Sequence, residues 1–363
     1  MAGQLAFEVH RSSLLARPTA VDSLRAYLTG LVADGFPPSV SLALVDAEGT
    51  ALEAFGGYAC TYGEMVPTTA ETLYDLASLT KMVCTVTSIL TAKQRGTLGL
   101  DDPVAKWLPG YPEERTTLWH LLTHTSGLVD HRPFFKTCKG RTEVQAAVFT
   151  EAVAATPGAT VLYSDLNYML LGWVLEACFR QDLEAIFASE VAGPLGLART
   201  RFRPPPADRR LCAATELDGD QRGTPGLVWG EVHDGNAYAL GGVAGHAGLF
   251  APLAELARFA QVLLVPELAK VLSAESVTQM TSHQAGQGDD VRGIGWRLEP
   301  REWGPWPDGT IWHTGFTGTS LLVAPSMGAA VVLLTNSVHP RRRPEDQAAV
   351  RAQVHRLAAE ALR

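Results

Sequence analysis

The sequence predicts an α/β fold of the α+β kind, in which an antiparallel sheet is flanked by helices and carries an inserted, mainly helical domain. Strand patterns occur at both ends of the 363-residue chain, whereas the middle contains helical segments separated by Pro and Gly loops. The prediction divides the chain into a sheet domain, formed by residues 1–100 and 291–363, and a helical domain, formed by residues 101–290. The crevice between two such domains is the expected place for an active site.

The N-terminal part predicts a helix, a hairpin and a second helix. Apolar residues recur at helical spacing from Asp22 to Gly35, with Asp22 placed to cap the start of this amphipathic helix and Gly35 to cap its end. Two runs rich in Val, Leu and aromatic residues then flank "DAEG", which is typical of an antiparallel hairpin. The next helix is expected from Ser78 to about Gln94.

The remaining elements follow the same reasoning. The helical segments of the middle part are "DDPVAKWLPG", "TEVQAAVFTEAVAATPG", "YMLLGWVLEACF", "DLEAIFASEVAGPLG" and "LAELARFAQVLL". Strand patterns return at "GIGWRLEP", "TIWHTG" and "TSLLVAPSMGAAVVLLTN", the last of which predicts a hairpin about "PSMG". A final helix is expected at "DQAAVRAQVHRLAAEAL".

Composition excludes several classes of partner. The 30 basic and 38 acidic residues give a formal net charge of -8 without a basic stripe, so a nucleic-acid partner is not expected. The one dense basic run, "HPRRRPED" from His339, is interpreted as a solvated loop. No signal peptide and no membrane helix are recognised, which predicts a cytoplasmic protein without a membrane partner. Five scattered cysteines predict neither disulfides nor a zinc site.

Ser78 and Lys81 form an S-x-x-K motif where a strand pattern runs into a helix. Residues three apart share one helix face, so the serine hydroxyl and the lysine ammonium are expected within reach of each other. A serine at this point can simply cap the helix, and capping explains most isolated occurrences of the motif. Alternatively the serine is a nucleophile whose proton goes to the lysine, which requires burial or positive neighbours to lower the lysine pKa by several units.

Two further segments favour the catalytic interpretation. "PGATVLYSDLNYMLLG" places Tyr163 in a loop before a helix, and "IWHTGFTGTS" places His313, Thr314 and Gly315 on or beside a strand. Together with "LASLTK", "LLTHTSGL" and "GGVAGHAGLF", these motifs occur in an order that resembles the serine hydrolases of the class C β-lactamase type. That group includes β-lactamases, D-alanyl-D-alanine peptidases, family VIII carboxylesterases and some acyltransferases, and the resemblance covers nearly the whole chain.

The resemblance implies a β-lactamase/transpeptidase-like fold and an acyl-enzyme formed on Ser78, with Lys81 and Tyr163 sharing the hydroxyl proton. A serine hydroxyl is a weak nucleophile unless a base lies within hydrogen-bond reach, and a phenol beside cations can serve as that base because the cations stabilise phenolate. The resemblance further implies that the backbone N–H groups of Ser78 and Phe316 form the oxyanion hole.

Two positions depart from the β-lactamase pattern. Asp165 stands where the second motif, Tyr-x-Asn, has its asparagine, and His313 stands where the third motif usually has the lysine of Lys-Thr-Gly. A histidine with an ordinary pKa of about 6.5 is mostly neutral at pH 7, so it attracts a substrate carboxylate less than a lysine does. β-Lactams and acyl-D-Ala-D-Ala peptides carry such a carboxylate, whereas simple esters do not.

The sequence therefore predicts a serine hydrolase of small esters or amides, carboxylesterase-like, that acts on a small-molecule acyl substrate without a cofactor. The alternatives are a β-lactamase, a D-Ala-D-Ala peptidase or muropeptide amidase, a transacylase, and an inactive binding protein on the same scaffold. Intact Ser78, Lys81 and Tyr163 argue against the last of these. The expected substrate-binding residues, taken from the later motifs and the glycine-rich loop, are Asp165, His313, Thr314, Gly315 and His246.

Other histidines and acids receive less specific interpretations. His124 in "LLTHTSGL" is expected to hold a turn. Four residues of the glycine-rich region are of types that ligate metals: Glu231, His233, Asp234 and His246. They lack the H-x-x-x-H or H-E-x-x-H spacing that aligns ligands on a helix, so no metal site is predicted. The loop around His246 is expected to line the substrate, because its glycines let the backbone approach closely.

Overall fold

A computed structural model of the chain describes residues 3–10, 13–15, 17–217 and 225–362. The strands are β1 Ala6–Val9, β2 Ser39–Asp46, β3 Gly49–Cys60, β4 Val66–Pro67, β5 Tyr74–Asp75, β6 Arg201–Phe202, β7 Leu249–Ala251, β8 Arg297–Leu298, β9 Ile311–Thr314, β10 Ser320–Ala324 and β11 Ala329–Thr335.

The α-helices are α1 Pro18–Asp34, α2 Thr87–Gln94, α3 Val104–Trp107, α4 Leu118–Leu122, α5 Gly140–Thr150, α6 Asp165–Phe179, α7 Leu183–Phe187, α8 Gly193–Leu195, α9 Gly235–Ala239, α10 Leu253–Leu264, α11 Ala274–Thr281 and α12 Pro344–Ala361. Two π-helices span Lys81–Val86 and Ala188–Ala192. Short 3-10 helices span Phe134–Lys136, Pro206–Leu211, Pro266–Leu268, Arg301–Trp303 and Pro325–Met327.

The main sheet joins strands from both ends of the chain. Its antiparallel order is β1-β3-β2-β11-β10-β9-β8, and β4 pairs with β3 outside this path. The centre of the sheet is the pairing of β2 with β11, in which Leu42 lies opposite Leu333. This architecture confirms the predicted fold class of an antiparallel sheet with helices around it.

Alternate residues of the central strands pack on opposite sides of the sheet. Val40, Leu42 and Leu44 of β2 share a core with α1 and α12, while Ala43 and Val45 belong to the larger core on the other side. Helix α10 lies on that second side and contacts β2, β3 and β11. Because β2 and β11 are buried on both faces, they read in the sequence as continuous apolar runs.

The predicted hairpins are both present, as β2–β3 and β10–β11. The first helix ends as predicted, since Gly35 takes a left-handed conformation with φ of 68°. Its predicted start was wrong: the helix begins at Pro18, and Asp22 lies inside it. Proline is favoured in the first turn of a helix, where its missing N–H costs no hydrogen bond, so the helix begins one turn before Asp22, and Val21 in that turn is buried with Leu24.

A second, small sheet positions the catalytic motifs. Its order is β5-β7-β6, so the short strand before Ser78 pairs with the strand that follows the glycine-rich loop. After Ser78 the chain turns into the π-helix Lys81–Val86, which continues as α2. The predicted helix is therefore present, but its first turns are wider than α-helical.

The division of the chain at residues 100 and 291 stays a prediction. Helix α10 falls inside the segment predicted as the inserted domain, yet it packs against the main sheet. Within the described ranges, no helix is long and apolar enough to cross a lipid bilayer.

Replacing Leu42 by alanine is expected to lower the free energy of unfolding by about 2–5 kcal/mol, because the side chain is fully buried between the sheet and helices α1 and α12. The matched control, Leu268→Ala, removes the same atoms from a side chain that is 42% exposed and should change stability by less than about 0.5 kcal/mol. Urea unfolding measures both variants, and equal losses would contradict this packing.

Candidate active site

Ser78 sits on a sharp turn that Asp75 holds. The Asp75 carboxylate is buried and accepts hydrogen bonds from the backbone N–H of Ala77 at 2.8 Å and of His233 at 2.7 Å. Ala77 has a φ of 46°, in the left-handed region that residues with a side chain seldom adopt. The turn therefore ends the short strand β5 and places Ser78 between this strand and the π-helix.

The segment after β9 is joined to the same turn. Thr317 Oγ1 donates to the Asp75 carbonyl at 2.7 Å, and Thr319 Oγ1 donates to the Leu76 carbonyl at 3.2 Å. A Cβ atom on Gly315 would lie 2.4 Å from the Leu76 carbonyl oxygen, so only glycine permits this approach. These contacts place Phe316 against Ser78, and both residues line the cavities described below.

Within the described part of the chain, neither the Ser78 nor the Phe316 backbone N–H donates a hydrogen bond to another protein group. Two unused amides beside the Ser78 hydroxyl are an arrangement that could hold an oxyanion.

The Lys81 ammonium is fully buried and has four hydrogen-bonding neighbours, one of which is the phenol of Tyr163. Its Nζ lies 3.0 Å from Ser78 Oγ, 3.0 Å from the carbonyl oxygen of His246 and 2.8 Å from Asp165 Oδ1. An ammonium has three N–H donors and no acceptor. Lys81 therefore donates to Ser78 Oγ, and the hydroxyl proton of Ser78 has to point elsewhere.

Lys81 and Asp165 form a buried ion pair. Burial by itself would lower the pKa of Lys81, but the carboxylate of Asp165, followed by the phenol of Tyr163, raises that pKa above its ordinary value. Burial likewise opposes ionisation of Asp165, yet the Lys81 ammonium and His131 hold the pKa of Asp165 well below its usual range. The lowered lysine pKa that a basic lysine requires is thus not found, because Asp165 replaces a neutral amide.

Tyr163 lies between two cations and a stack of rings. The Lys81 Nζ is 5.1 Å from the Tyr163 ring centroid, and the guanidinium carbon of Arg292 is 5.7 Å from it. The His124 ring lies 4.6 Å from the Tyr163 ring, and its Nδ1 accepts the backbone N–H of Ser164 at 3.0 Å. His124 has a φ of 58°, in agreement with a turn-holding role. Through its hydrogen bond from Ser164 it also holds the backbone directly after Tyr163.

His313 is a neutral, buried residue. Its Nδ1 donates to the Thr314 carbonyl at 2.8 Å, which leaves Nε2 as an acceptor. Burial, and then the positive charges of Lys81 and Arg292, hold the pKa of His313 well below its ordinary value. A histidine in this state cannot supply the positive charge of the lysine it replaces.

The glycine-rich loop reaches the site through its backbone. The Gly245 carbonyl accepts from Thr85 Oγ1 at 2.6 Å, and a Cβ on Gly245 would lie 2.1 Å from the Tyr168 carbonyl oxygen. This close packing against α6 brings the carbonyl of His246 to Lys81. The His246 imidazole itself pairs with Asp234, with 2.9 Å between Nε2 and Oδ1.

Two cavities meet at Ser78, Tyr163 and Phe316, which line both of them. The first, called the arginine pocket, has a volume of about 450 Å³, contains His313, Thr314 and Gly315, and has as charged residues Asp290, Arg292, Arg297, Arg342 and Arg351. The second, called the acidic pocket, has a volume of about 320 Å³ and has as its other titratable residues Asp130, His131, Asp165, His233, Asp234 and His246. Ser78 thus lies on the border between a positive and a negative region.

Several residues of this site were missed in the sequence. Asp75 could have been found, since it is a lone acid in the apolar run before the S-x-x-K motif. The basic run after His339 was interpreted as a solvated loop, and Arg342 is indeed exposed, but it also lines the arginine pocket, which the sequence did not indicate. Arg292 and Arg297 stand in no recognisable motif, and only the fold brings them to Ser78.

The chain belongs to the beta-lactamase family, whose sequence model matches residues 24–355. A relative from Escherichia coli, named "Putative D-alanyl-D-alanine carboxypeptidase", is 32% identical over 83% of this chain and 79% of its own length. Among solved structures, the octameric penicillin-binding protein homologue from Pyrococcus abyssi is 21% identical with a TM-score of 0.74, over 94% of this chain and 79% of that one. The hydrolase EstCE1, described as having promiscuous acyltransferase activity, is 21% identical with a TM-score of 0.76, over 95% and 98% of the two chains. The chain therefore carries the serine-hydrolase scaffold of this family.

Changing Asp165 to asparagine is expected to lower the free energy of unfolding by about 3 kcal/mol at pH 7, because the Lys81 ammonium then stays buried without its carboxylate. Since the folded pKa of Asp165 lies below its unfolded value, its stabilisation is present above about pH 4 and is lost as the pH falls further. The difference between the two proteins should therefore be constant from pH 7 to about pH 5 and shrink below pH 4.

The matched control for this pair is Glu275→Gln. Glu275 also lies 2.8 Å from a lysine, Lys93, but its side chain is 71% exposed. Water screens such a pair, so this variant should unfold nearly as wild type does. Chemical denaturation at each pH gives the values, and a loss in Asp165→Asn no larger than in the control would refute the role of the buried pair.

Proposed function

We propose that this protein hydrolyses an amide through an acyl-enzyme on Ser78, and that the leaving group of its substrate carries a free carboxylate. The reaction class is that of a serine carboxypeptidase or amidase acting on a small acyl substrate. The observation that carries the choice of substrate is the arginine pocket beside Ser78 and His313.

Proton transfer follows from the contacts of Lys81. Because Lys81 donates to Ser78 Oγ, the hydroxyl proton is free to go to the oxygen of Tyr163, which acts as its phenolate, when the serine oxygen attacks the acyl carbonyl. The Lys81 ammonium and the Arg292 guanidinium balance the negative charge that Tyr163 and the tetrahedral intermediate share. Tyr163 then returns a proton to the leaving nitrogen, and water attacks the acyl-enzyme by the reverse route. In this scheme Lys81 is a fixed cation and Tyr163 is the general base.

The backbone amides of Ser78 and Phe316 are proposed to hold the carbonyl oxygen of the substrate. Donors that are fixed before the reaction stabilise the developing oxyanion without reorganisation, and the loss of one donor typically costs about 10² to 10³ in rate. Gly315 and the hydroxyls of Thr317 and Thr319 support this geometry, because they join the Phe316 segment to the turn of Ser78.

The carboxylate specificity is assigned to Arg292 and its neighbours. Arg292 is 3% exposed, and its Nη1 is buried without a hydrogen-bond partner among the described residues. A guanidinium is always charged and binds carboxylates through paired N–H donors. A carboxylate in the arginine pocket would satisfy this group, and it would lie on the side of Ser78 where β-lactams and acyl-D-Ala-D-Ala peptides are expected to place theirs. The name of the Escherichia coli relative agrees with such a substrate.

A second candidate is the carboxylesterase that the sequence predicts. Such an enzyme could also transfer the acyl group to an alcohol instead of water. The neutral state of His313 supports it, because the motif lysine that binds carboxylate in β-lactamases has no cationic replacement at that position. EstCE1, a hydrolase with acyltransferase activity, shares the fold. The two candidates use the same acyl-enzyme and differ in the leaving group.

A fluorophosphonate probe is expected to label the wild-type protein at Ser78, and Ser78→Ala should lose both labelling and hydrolysis. The reason is that Ser78 alone among the described serines contacts the Lys81 ammonium. Ser326→Ala, which alters an exposed serine of the β10–β11 turn, is the control that retains both. Mass spectrometry of the labelled peptide identifies the site, and hydrolysis by Ser78→Ala at the wild-type rate would disprove the nucleophile.

Acetyl-D-Ala-D-Ala is expected to be cleaved with a kcat/KM about 10- to 100-fold above that of its C-terminal carboxamide. The difference reflects the charge-assisted hydrogen bonds that only the carboxylate makes with the arginine pocket. Amine release measures both rates, and a nitrophenyl ester of the same acyl group shows whether the acyl-enzyme forms at all. Equal rates for peptide and carboxamide, together with fast turnover of the ester, would favour the esterase.

A further inference from the structure

We propose that the leaving group carries a second negative charge besides the carboxylate next to the scissile amide, so that the favoured leaving group is a dicarboxylic amino acid. This inference rests on the proposed function and specifies its substrate class. It follows from the number and placement of the charges in the arginine pocket.

The arginine pocket holds more positive charge than one carboxylate can neutralise. Among the residues that line it, four guanidinium groups face the single carboxylate of Asp290. The nearby acids Asp289, Glu302 and Glu216 influence Arg297 or Arg342, but their side chains do not line the pocket. With Asp290 and one substrate carboxylate in place, two guanidinium charges would remain without a partner in the pocket.

The four arginines lie in two groups that differ in chain position. Arg292 precedes β8, Arg297 is its first residue, and both share Asp290, whose Oδ1 lies 2.8 Å from Arg292 Nε and 3.6 Å from Arg297 Nε. Arg342 and Arg351 come from the segment before α12 and from α12 itself. One group can therefore hold the carboxylate next to the scissile bond while the other meets a second anion.

Arg342 and Arg351 pair with no carboxylate among the residues that line the pocket, since Asp290 pairs with Arg292 and Arg297. Arg351 donates to the carbonyl of Gly315, and its Nε is buried without a hydrogen-bond partner within the described ranges. The guanidinium of Arg342 lies 3.9 Å from the centroid of the Phe316 ring, on the border of the site. Burial, and then repulsion by the positive charge of Arg342, lower the pKa of Arg351 to about 10. An anion bound between them would relieve that repulsion.

The cavity has room for such a group. Its volume of about 450 Å³ lies in the usual range of small-molecule sites. The polar Gln347 also lines it, but its Nε2 donates to the Phe316 carbonyl at 2.9 Å and supports the loop instead. The second anion is therefore assigned to the arginines and not to a neutral hydrogen-bonding group.

The test compares three peptides that differ only in the leaving residue: acetyl-D-Ala-D-Glu, acetyl-D-Ala-D-Gln and acetyl-D-Ala-D-Ala. The D-Glu and D-Gln residues have nearly the same shape and differ in one charge. We expect kcat/KM for the D-Glu peptide to exceed that for the D-Gln peptide by about tenfold, the scale of one charge-assisted hydrogen bond. The ratio should fall when salt is raised to about 1 M, because Arg342 is exposed to the ions. A ratio of one or less would overturn the inference.

Arg342→Gln should reduce the ratio of the D-Glu to the D-Gln rate by severalfold. The matched control is Arg341→Gln, which removes the same charge from the neighbouring exposed residue outside the pocket and should leave the ratio unchanged. An unchanged ratio in Arg342→Gln, or an equal reduction in both variants, would show that a general charge effect and not this contact gives the preference.

The outcomes separate this inference from the proposed function. If all three peptides are cleaved faster than their carboxamides but D-Glu and D-Gln are equal, the proposed function stands and the second anion is wrong. If no peptide is cleaved, the proposed function fails. Inhibition of nitrophenyl ester hydrolysis by free amino acids then tests separately whether the arginine pocket binds a second negative charge. Stronger inhibition by free D-glutamate than by D-glutamine would then support the second anion, and equal inhibition would refute it.

Discussion

The buried ammonium of Lys81 is the point on which the site depends. It donates to Ser78, to Asp165 at the start of α6 and to the carbonyl of His246 in the glycine-rich loop, and it is also in hydrogen-bond contact with the phenol of Tyr163. A buried charge is tolerated only when its partners offset the loss of water. The nucleophile turn, the loop of Tyr163 and the glycine-rich loop are therefore held in one arrangement, although they lie far apart in the sequence.

Close approach of backbone to backbone makes this convergence possible. Gly245 packs against the Tyr168 carbonyl of α6, and Gly315 packs against the Leu76 carbonyl beside Ser78. A methyl group at either position would overlap backbone atoms, which cannot move without shifting a helix or a strand. Asp75 completes the arrangement, since one carboxylate holds both the turn before Ser78 and the backbone of His233.

The sequence was sufficient for the parts of the structure that have a local pattern. The apolar runs of β2 and β11 and the hairpin turns predicted the sheet, and the spacing of Ser78 and Lys81 predicted their contact, which the structure places at 3.0 Å. The start of α1 was misplaced because Asp22 was taken as the cap, although Val21 before it is buried on the same face as Leu24 and Leu28. Arg292 and Arg342 were not recognised because no spacing relates them to Ser78, and only the sheet order brings β8 and the segment before α12 to one cavity. The charge state of Lys81 depends on Asp165, a tertiary contact that spacing does not reveal.

The neutral His313 and the arginine pocket are best understood together. Taken alone, the histidine at the motif position predicts a weaker attraction for carboxylates than a lysine would give. In the structure the position lies close to Lys81 and Arg292, and both already disfavour a positive charge on His313. A lysine there would add a further cation to a region that has four guanidinium groups and one aspartate. The positive charge near Ser78 therefore comes from the arginines instead of the motif strand, and His313 adds no further cation beside them.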